Sequence, residues 1–252
     1  MTLTATYDPQ ISRVRLEQTL GTGDGEAYVE RSTDQIRWSP VRGGSPVQVI
    51  DGHFMLDDYE FTPNVTNYYR SQGETASVLP EITEVWLKSI SRPWLNKTVE
   101  VVDFSDITRR ARAGVFDVIG RSMPVAVNDV RGGREFTLTL YTATDAEYRD
   151  LDIFTASGDP IFIQVPAGSR VPSGYFTVGD VQSARLTQHS GKRVFELPLI
   201  ECAAPGPAIV GASVTWLTVL NSYASWSEAL AAHATWADML ELIGDPTEVI
   251  VP

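Results

Sequence analysis

In the string "REFTLTLYT", Phe136, Leu138 and Leu140 take every second position, with threonines between them. Side chains of a strand point alternately to its two faces, so this spacing makes one apolar and one polar face. The pattern recurs in "RVRLEQ", "AYVERS" and "VQVID" before residue 72, and in "PIFIQV", "GYFTVGDVQSARL" and "KRVFELPLIE" after residue 160. Glycine-rich turns such as "GTGDG" and "RGGSP" separate the earlier segments. A chain of many short alternating segments is expected to be mainly β.

Residues 1–72 are expected to form a small β-sandwich. The phrase "DDYEFTPNVTNYYRSQ" (Asp57 to Gln72) resembles the E–F corner of fibronectin type III and related immunoglobulin-like sandwiches. On that reading Tyr68 is the corner tyrosine, its hydroxyl bonding back to the backbone, and Trp38 is a core aromatic. The alternative for Trp38 is an exposed platform that stacks on a sugar ring. Residues 73–82 are polar, lack periodicity and contain Pro80, which marks them as a linker.

A second domain is expected over residues 83–205. In "SMPVAVNDVRGGREFTLTLYTA" (Ser122 to Ala143), two alternating runs flank "RGG", the pattern of a β-hairpin. A helix is predicted over 145–156: Thr144 and Glu147 have the spacing of a capping box, Tyr148, Leu151 and Phe154 share a stripe, and Gly158 stands where the helix should stop. Three strands follow. One helix packed against an antiparallel barrel or sandwich satisfies this order.

Composition excludes several functions. The formal net charge of −12 argues against nucleic-acid binding, which rewards lysine and arginine patches. No apolar run approaches the roughly 18–20 residues that span a bilayer, and the start has no basic region leading into an apolar one, so neither a membrane anchor nor a signal peptide is expected. Cys202 is the only cysteine, which rules out an intrachain disulfide and a thiolate zinc site; among apolar neighbours it is expected to be an inert buried thiol. His53, His189 and His233 lack metal-ligand spacing. Nucleophile-elbow, phosphate-loop and dinucleotide signatures are missing, and the acidic groups Asp57/Asp58/Glu60 and Asp150/Asp152 have no framing motif. The expectation is a protein that binds and assembles, with no catalytic residue, metal or cofactor.

The strings "VWLKSISRPWLNKTVEVVDF", "GVFDVIGRSMPVAVNDVRGGREFTLTL" and "SGDPIFIQVP" resemble minor tail proteins of long-tailed (siphovirus-like) bacteriophages that infect actinobacteria. More distantly they are similar to distal tail proteins. The likeness covers about residues 83–205, and the Trp-rich tail also looks like that group. It implies a split β-barrel with an inserted helix, of the kind that builds rings at the end of a tail tube. Such a ring is typically a hexamer, with a trimer as the alternative, placed between the tube and the hub that carries receptor-binding parts. The implied location is the virion tail tip, after synthesis in the host cytoplasm. Distal tail proteins often carry their accessory module after the ring domain, whereas here the sandwich comes first. A different class of function, a carbohydrate-binding or adhesion module, would place Trp38, Trp86 or Trp94 against sugar rings.

Two features bear on partners. Arg109, Arg110 and Arg112 form the densest basic cluster, either a solvated loop or an interface reaching an acidic neighbour such as the tail of an adjacent copy. Residues 206–252 form a Trp-rich arm with no lysine or arginine, in which Trp216, Trp226 and Trp236 each precede a leucine by four residues: Leu220, Leu230 and Leu240. Ten residues of α-helix turn by about 1000°, some 80° short of three full turns, so these tryptophans do not share one narrow stripe. Short capped helices, as at Ser225 and Glu228, fit better than one continuous amphipathic helix. Each presents a Trp–Leu pair, expected to cover a neighbouring protein.

Overall fold

The computed structural model describes residues 2–206 apart from 22, 118, 121, 188 and 189, together with 225, 227 and 228. It is mainly β and contains a closed six-stranded barrel.

The strands before residue 79 are β1 (Leu3–Asp8), β2 (Arg13–Thr19), β3 (Gly25–Ala27), β4 (Val29–Ser32), β5 (Ser39–Pro40), β6 (Val47–Val49), β7 (His53–Asp58), β8 (Asn67–Ser71) and β9 (Glu74–Val78). One sheet runs β1-β2-β7 and another β5-β4-β8-β9, while β3 pairs with β6. The alternation in β2 does what the sequence implies: Val14, Leu16 and Gln18 are buried, and the residues between them are not. Val14, Leu16, Val29, Phe54, Phe61 and Tyr69 share one core between the sheets. Burying each large apolar side chain contributes roughly 1.5–3 kcal/mol.

Three expectations for this lobe fail. Residues 73–82 are not simply a linker, because Glu74–Val78 is β9, paired along its length with β8. The buried tyrosine is Tyr69, not Tyr68, since strand parity puts Tyr69 on the inner face with Asn67 and Ser71. Its hydroxyl donates to a carboxylate, Asp58 Oδ2, at 2.9 Å, not to the backbone. Trp38 is not in the core. Asp34 Oδ1 accepts from the backbone N–H groups of Ile36 and Arg37, and this tight turn carries Trp38 to the surface. There its indole N–H donates to the Gln35 carbonyl, and the Arg70 guanidinium lies 4.3 Å from the ring centroid.

The second lobe contains β10 (Val85–Ser89), a 3-10 turn at Pro93–Leu95, β11 (Lys97–Phe104), β12 (Thr108–Arg109), β13 (Ala113–Phe116), β14 (Val125–Asn128), β15 (Arg134–Thr142), α1 (Asp145–Ala156), β16 (Ile161–Gln164), β17 (Gly174–Val178), β18 (Gln182–Arg185) and β19 (Arg193–Glu201). The barrel closes in the order β15-β11-β10-β16-β17-β19 and back to β15, every pairing antiparallel. Phe136, Leu138 and Leu140 of β15 face Leu199, Leu197 and Phe195 of β19 across the ladder, and all six are buried. Helix α1 adds Leu151 and Phe154 to this core. Thr144 Oγ1 accepts from the Glu147 N–H at 3.2 Å, and Glu147 Oε2 accepts from the Ala143 N–H at 2.8 Å.

The hairpin expected across 122–143 does not form. Val125–Asn128 pairs back with Ala113–Phe116, and β15 pairs instead with β11, β12 and β19. The reason is non-local: β15 gains two long barrel partners, where the residues just before it could offer only one short strand. "GYFTVGDVQSARL" is likewise two strands. Because β15 fills one edge of β19 along its length, β17 and β18 both take the other edge, one after the other. Cys202 is half-buried, not buried, and its N–H donates to the Tyr175 carbonyl at 2.9 Å.

Candidate functional site

The two lobes meet at one face of the barrel, and strand parity decides which side chains form the contact. In β10, Leu87 joins the barrel core, whereas Trp86 on the opposite face joins the core of the first lobe. Lys88, two residues on from Trp86, points the same way. Opposite them on β16 stand Gln164 and Phe162, in register with Trp86 and Lys88.

Both polar residues of this set are buried and hydrogen-bonded across the seam. Gln164 Nε2 donates to the Phe61 carbonyl at 2.6 Å, and its Oε1 accepts from Ser12 Oγ at 3.3 Å. Lys88 Nζ donates to the Ser12 carbonyl at 2.6 Å and the Tyr59 carbonyl at 2.9 Å, and lies 4.5 Å from the centre of the Phe61 ring. Burial pushes the Lys88 ammonium down to about 7, against the pull of Asp58 and Glu60.

Beside the seam opens a cleft of about 630 Å³ whose walls come from both lobes, among them Met55, Leu56, Ile90, Pro93, Trp94 and Phe162. Charged groups at the cleft are already paired: Arg13 with Asp57 at 2.6 Å and Arg42 with Glu60 at 2.8 Å. The Arg42 guanidinium also donates to the carbonyls of Pro205, at 3.1 Å, and Gly206, at 2.8 Å.

On the barrel lobe, β13 and β14 form a two-stranded ribbon that joins no other sheet among the described residues. Its base continues the ladder, with Asp129 N donating to Arg112 O at 2.8 Å and Gly132 N to Arg110 O at 3.0 Å. Val115, Phe116, Ile119, Met123, Val125 and Val127 are all exposed on it. An isolated ribbon is marginal by itself, and its open edges and apolar surface are what native proteins ordinarily cover.

The arginine cluster lies at the foot of this ribbon and is largely engaged within the chain. Arg110 pairs with Glu135 at 2.8 Å, and Arg109 lies 3.7 Å from Glu201, which Arg134 holds at 2.6 Å. The Arg134 contact is the main reason the Glu201 carboxyl sits below the usual range. Arg112 makes no ion pair among the described residues. Gly133 closes the same corner: a Cβ there would meet the Glu201 carbonyl oxygen at 2.5 Å, so the two backbones can approach only because position 133 has no side chain.

Trp216, Leu220, Trp226, Leu230, Trp236 and Leu240 lie outside the described residues, as do His189 and His233. Of the expected caps, Ser225 and Glu228 are described, with the Glu228 N–H 3.4 Å from Ser225 Oγ. His53 is exposed, its Nδ1 3.0 Å from Thr19 Oγ1. The acidic groups hold ion pairs: Asp57 with Arg13 and Arg15, Asp58 with Arg31, and Asp150 with Lys97. Among the described residues no cluster of three or more His, Cys, Asp or Glu could hold a metal. Sequence reasoning missed Lys88 and Gln164; the one available signal was a lysine inside an otherwise strand-like "VWLKS".

No protein-family model matches the chain, and no curated protein matches it.

Proposed function

We propose that this chain is a structural component of a phage tail tip, a minor or distal tail protein that assembles with copies of itself into a ring and bridges tube and hub. The exposed apolar β13–β14 ribbon carries this reading. It has the surface of an interface: two open strand edges, a row of large apolar side chains, and a base anchored by ion pairs. The closed barrel with one helix packed into its core is compatible with the split barrel of such rings, and the first lobe is read as a fibronectin- or immunoglobulin-like sandwich. The six-fold copy number and the tail-tip location come from the sequence resemblance.

The adhesion reading has less support. Trp86 is buried in the seam and Trp38 already carries the Arg70 guanidinium on its face, which leaves Trp94 as the described tryptophan open to a sugar. Light scattering on the purified chain, together with cryo-electron microscopy of virions that contain it, tests the proposal. A ring of copies, alone or at the tail tip, is expected. A monomer in solution with no density for the chain at the tip would sink it.

A further inference from the structure

We infer that the cleft between the two lobes receives the β13–β14 ribbon of a second copy of this chain, with Phe116, Val125 and Val127 as the inserted face. The inference rests on the proposal that copies assemble through this ribbon, and it names what the ribbon meets.

Strand register defines the guest. Gly114 stands opposite Val127 and Phe116 opposite Val125, and directly paired residues share a face, as do residues two apart. One face of the ribbon therefore carries Phe116, Val125 and Val127, all exposed, beside Gly114. A Cβ on Gly114 would meet the Phe116 ring at 2.8 Å, so the ring lies against bare glycine backbone. Neither strand, Ala113–Phe116 or Val125–Asn128, contains a charged residue.

The cleft is the matching host. It is concave, about 630 Å³, and within the range of pockets that enclose a guest. Two of its large apolar side chains, Met55 and Trp94, are left 57% and 43% exposed, so an apolar occupant would remove surface that water solvates poorly. Arg13 and Arg42 are matched by Asp57 and Glu60, and Lys88 donates to two carbonyls. An uncharged, apolar guest is the one that fits.

Barrel topology makes this a contact between copies. The ribbon is rooted beside β15, through β12 and the hydrogen bond from Gly132 to Arg110, whereas β16 supplies Phe162 to the cleft. In the closed order β15-β11-β10-β16-β17-β19 these two strands are three apart in either direction, on opposite sides of the barrel. A ribbon on one side and a cleft on the other give each copy two different contact surfaces. Such head-to-tail contacts close into a ring when the rotation between copies completes a circle.

The test is photo-crosslinking in the full chain with p-benzoyl-phenylalanine in place of Phe116. A mixture of light and heavy-isotope copies separates adducts between chains from those within one, and mass spectrometry locates them. Adducts between copies at Met55, Ile90 or Phe162 are expected. Trp94→Lys and Met55→Lys each put a charge into the cleft at an exposed position, and each should lower the yield at Ile90 and Phe162 about tenfold. Adducts within one chain, adducts between copies at other sites, no adduct, or a yield unchanged in either variant would overturn the inference. Closed rings whose adducts lie elsewhere would leave the ring standing without this contact. Cleft adducts in open chains of copies would overturn the ring and leave this contact standing.

Discussion

The ammonium of Lys88, on a barrel strand, donates to the backbone carbonyl of Ser12 in the other lobe at 2.6 Å. A buried cation thus ties together two lobes that are 76 residues apart at this contact. Stability should depend on pH because of it. Lys88 falls from 10.5 to about 7 in the folded chain, so between those values the unfolded chain binds a proton that the folded one has released. Its contribution therefore rises with pH from about 7 to about 10.5, and below about 7 the cost of the buried charge is fully present. Lys88→Met should flatten this slope, read from denaturant midpoints across the window; an unchanged slope would place the titration elsewhere.

Gln164 is the second tie. Gln164→Leu keeps the bulk but strands the Phe61 carbonyl and the Ser12 hydroxyl, at an expected loss of about 1–3 kcal/mol. Hydrogen exchange should quicken at β10 and β16 on either side of the seam, ahead of strands on the far side of the barrel.

Asp58 is nearly fully buried and is held by Arg31 at 2.6 Å and by the Tyr69 hydroxyl at 2.9 Å. The two partners should not be equivalent. Tyr69→Phe removes one neutral donor to a charged acceptor, about 1.5–3 kcal/mol. Arg31→Met leaves a buried carboxylate without its cation, about 3–5 kcal/mol. Equal losses in thermal or chemical denaturation would refute this order.

Adjacent glycines should respond differently to the same substitution. Gly133→Ala forces a shift against the Glu201 backbone and is expected to cost about 1–3 kcal/mol. At Gly132 the nearest atom to a new Cβ is at an ordinary 3.6 Å, so Gly132→Ala should be close to neutral. Melting temperatures of the pair decide it.

Phe116→Lys with Val127→Lys alters only the exposed ribbon, so folding stability should move by no more than about 0.5 kcal/mol. Assembly should be lost or sharply weakened. Sedimentation that shows unchanged oligomers in the double variant would separate the ribbon from any interface.

Local chemistry was readable from the sequence alone. The alternation in "RVRLEQ" and "REFTLTLYT" correctly marks the buried faces of β2 and β15, and Thr144 with Glu147 marks the start of α1, because these depend on residues a few positions apart. Misreadings arose wherever a choice of partner was needed. Tyr68 and Tyr69 are interchangeable until the register of β8 on β4 is known, and Val125–Asn128 looks like the mate of β15 until β19 and β11 are seen to occupy both its edges.

A mainly β chain, the capped start of α1 and an acidic arm with tryptophans but no basic residue could all be read from residue order. That "VWLKS" is the seam emerges from the packing of the two lobes. Parity within a strand states that Trp86 and Lys88 share a face, but not what lies opposite that face. Closing the barrel turned it toward the first lobe, and burial there made Lys88 a buried interlobe tie and left the adjoining cleft apolar.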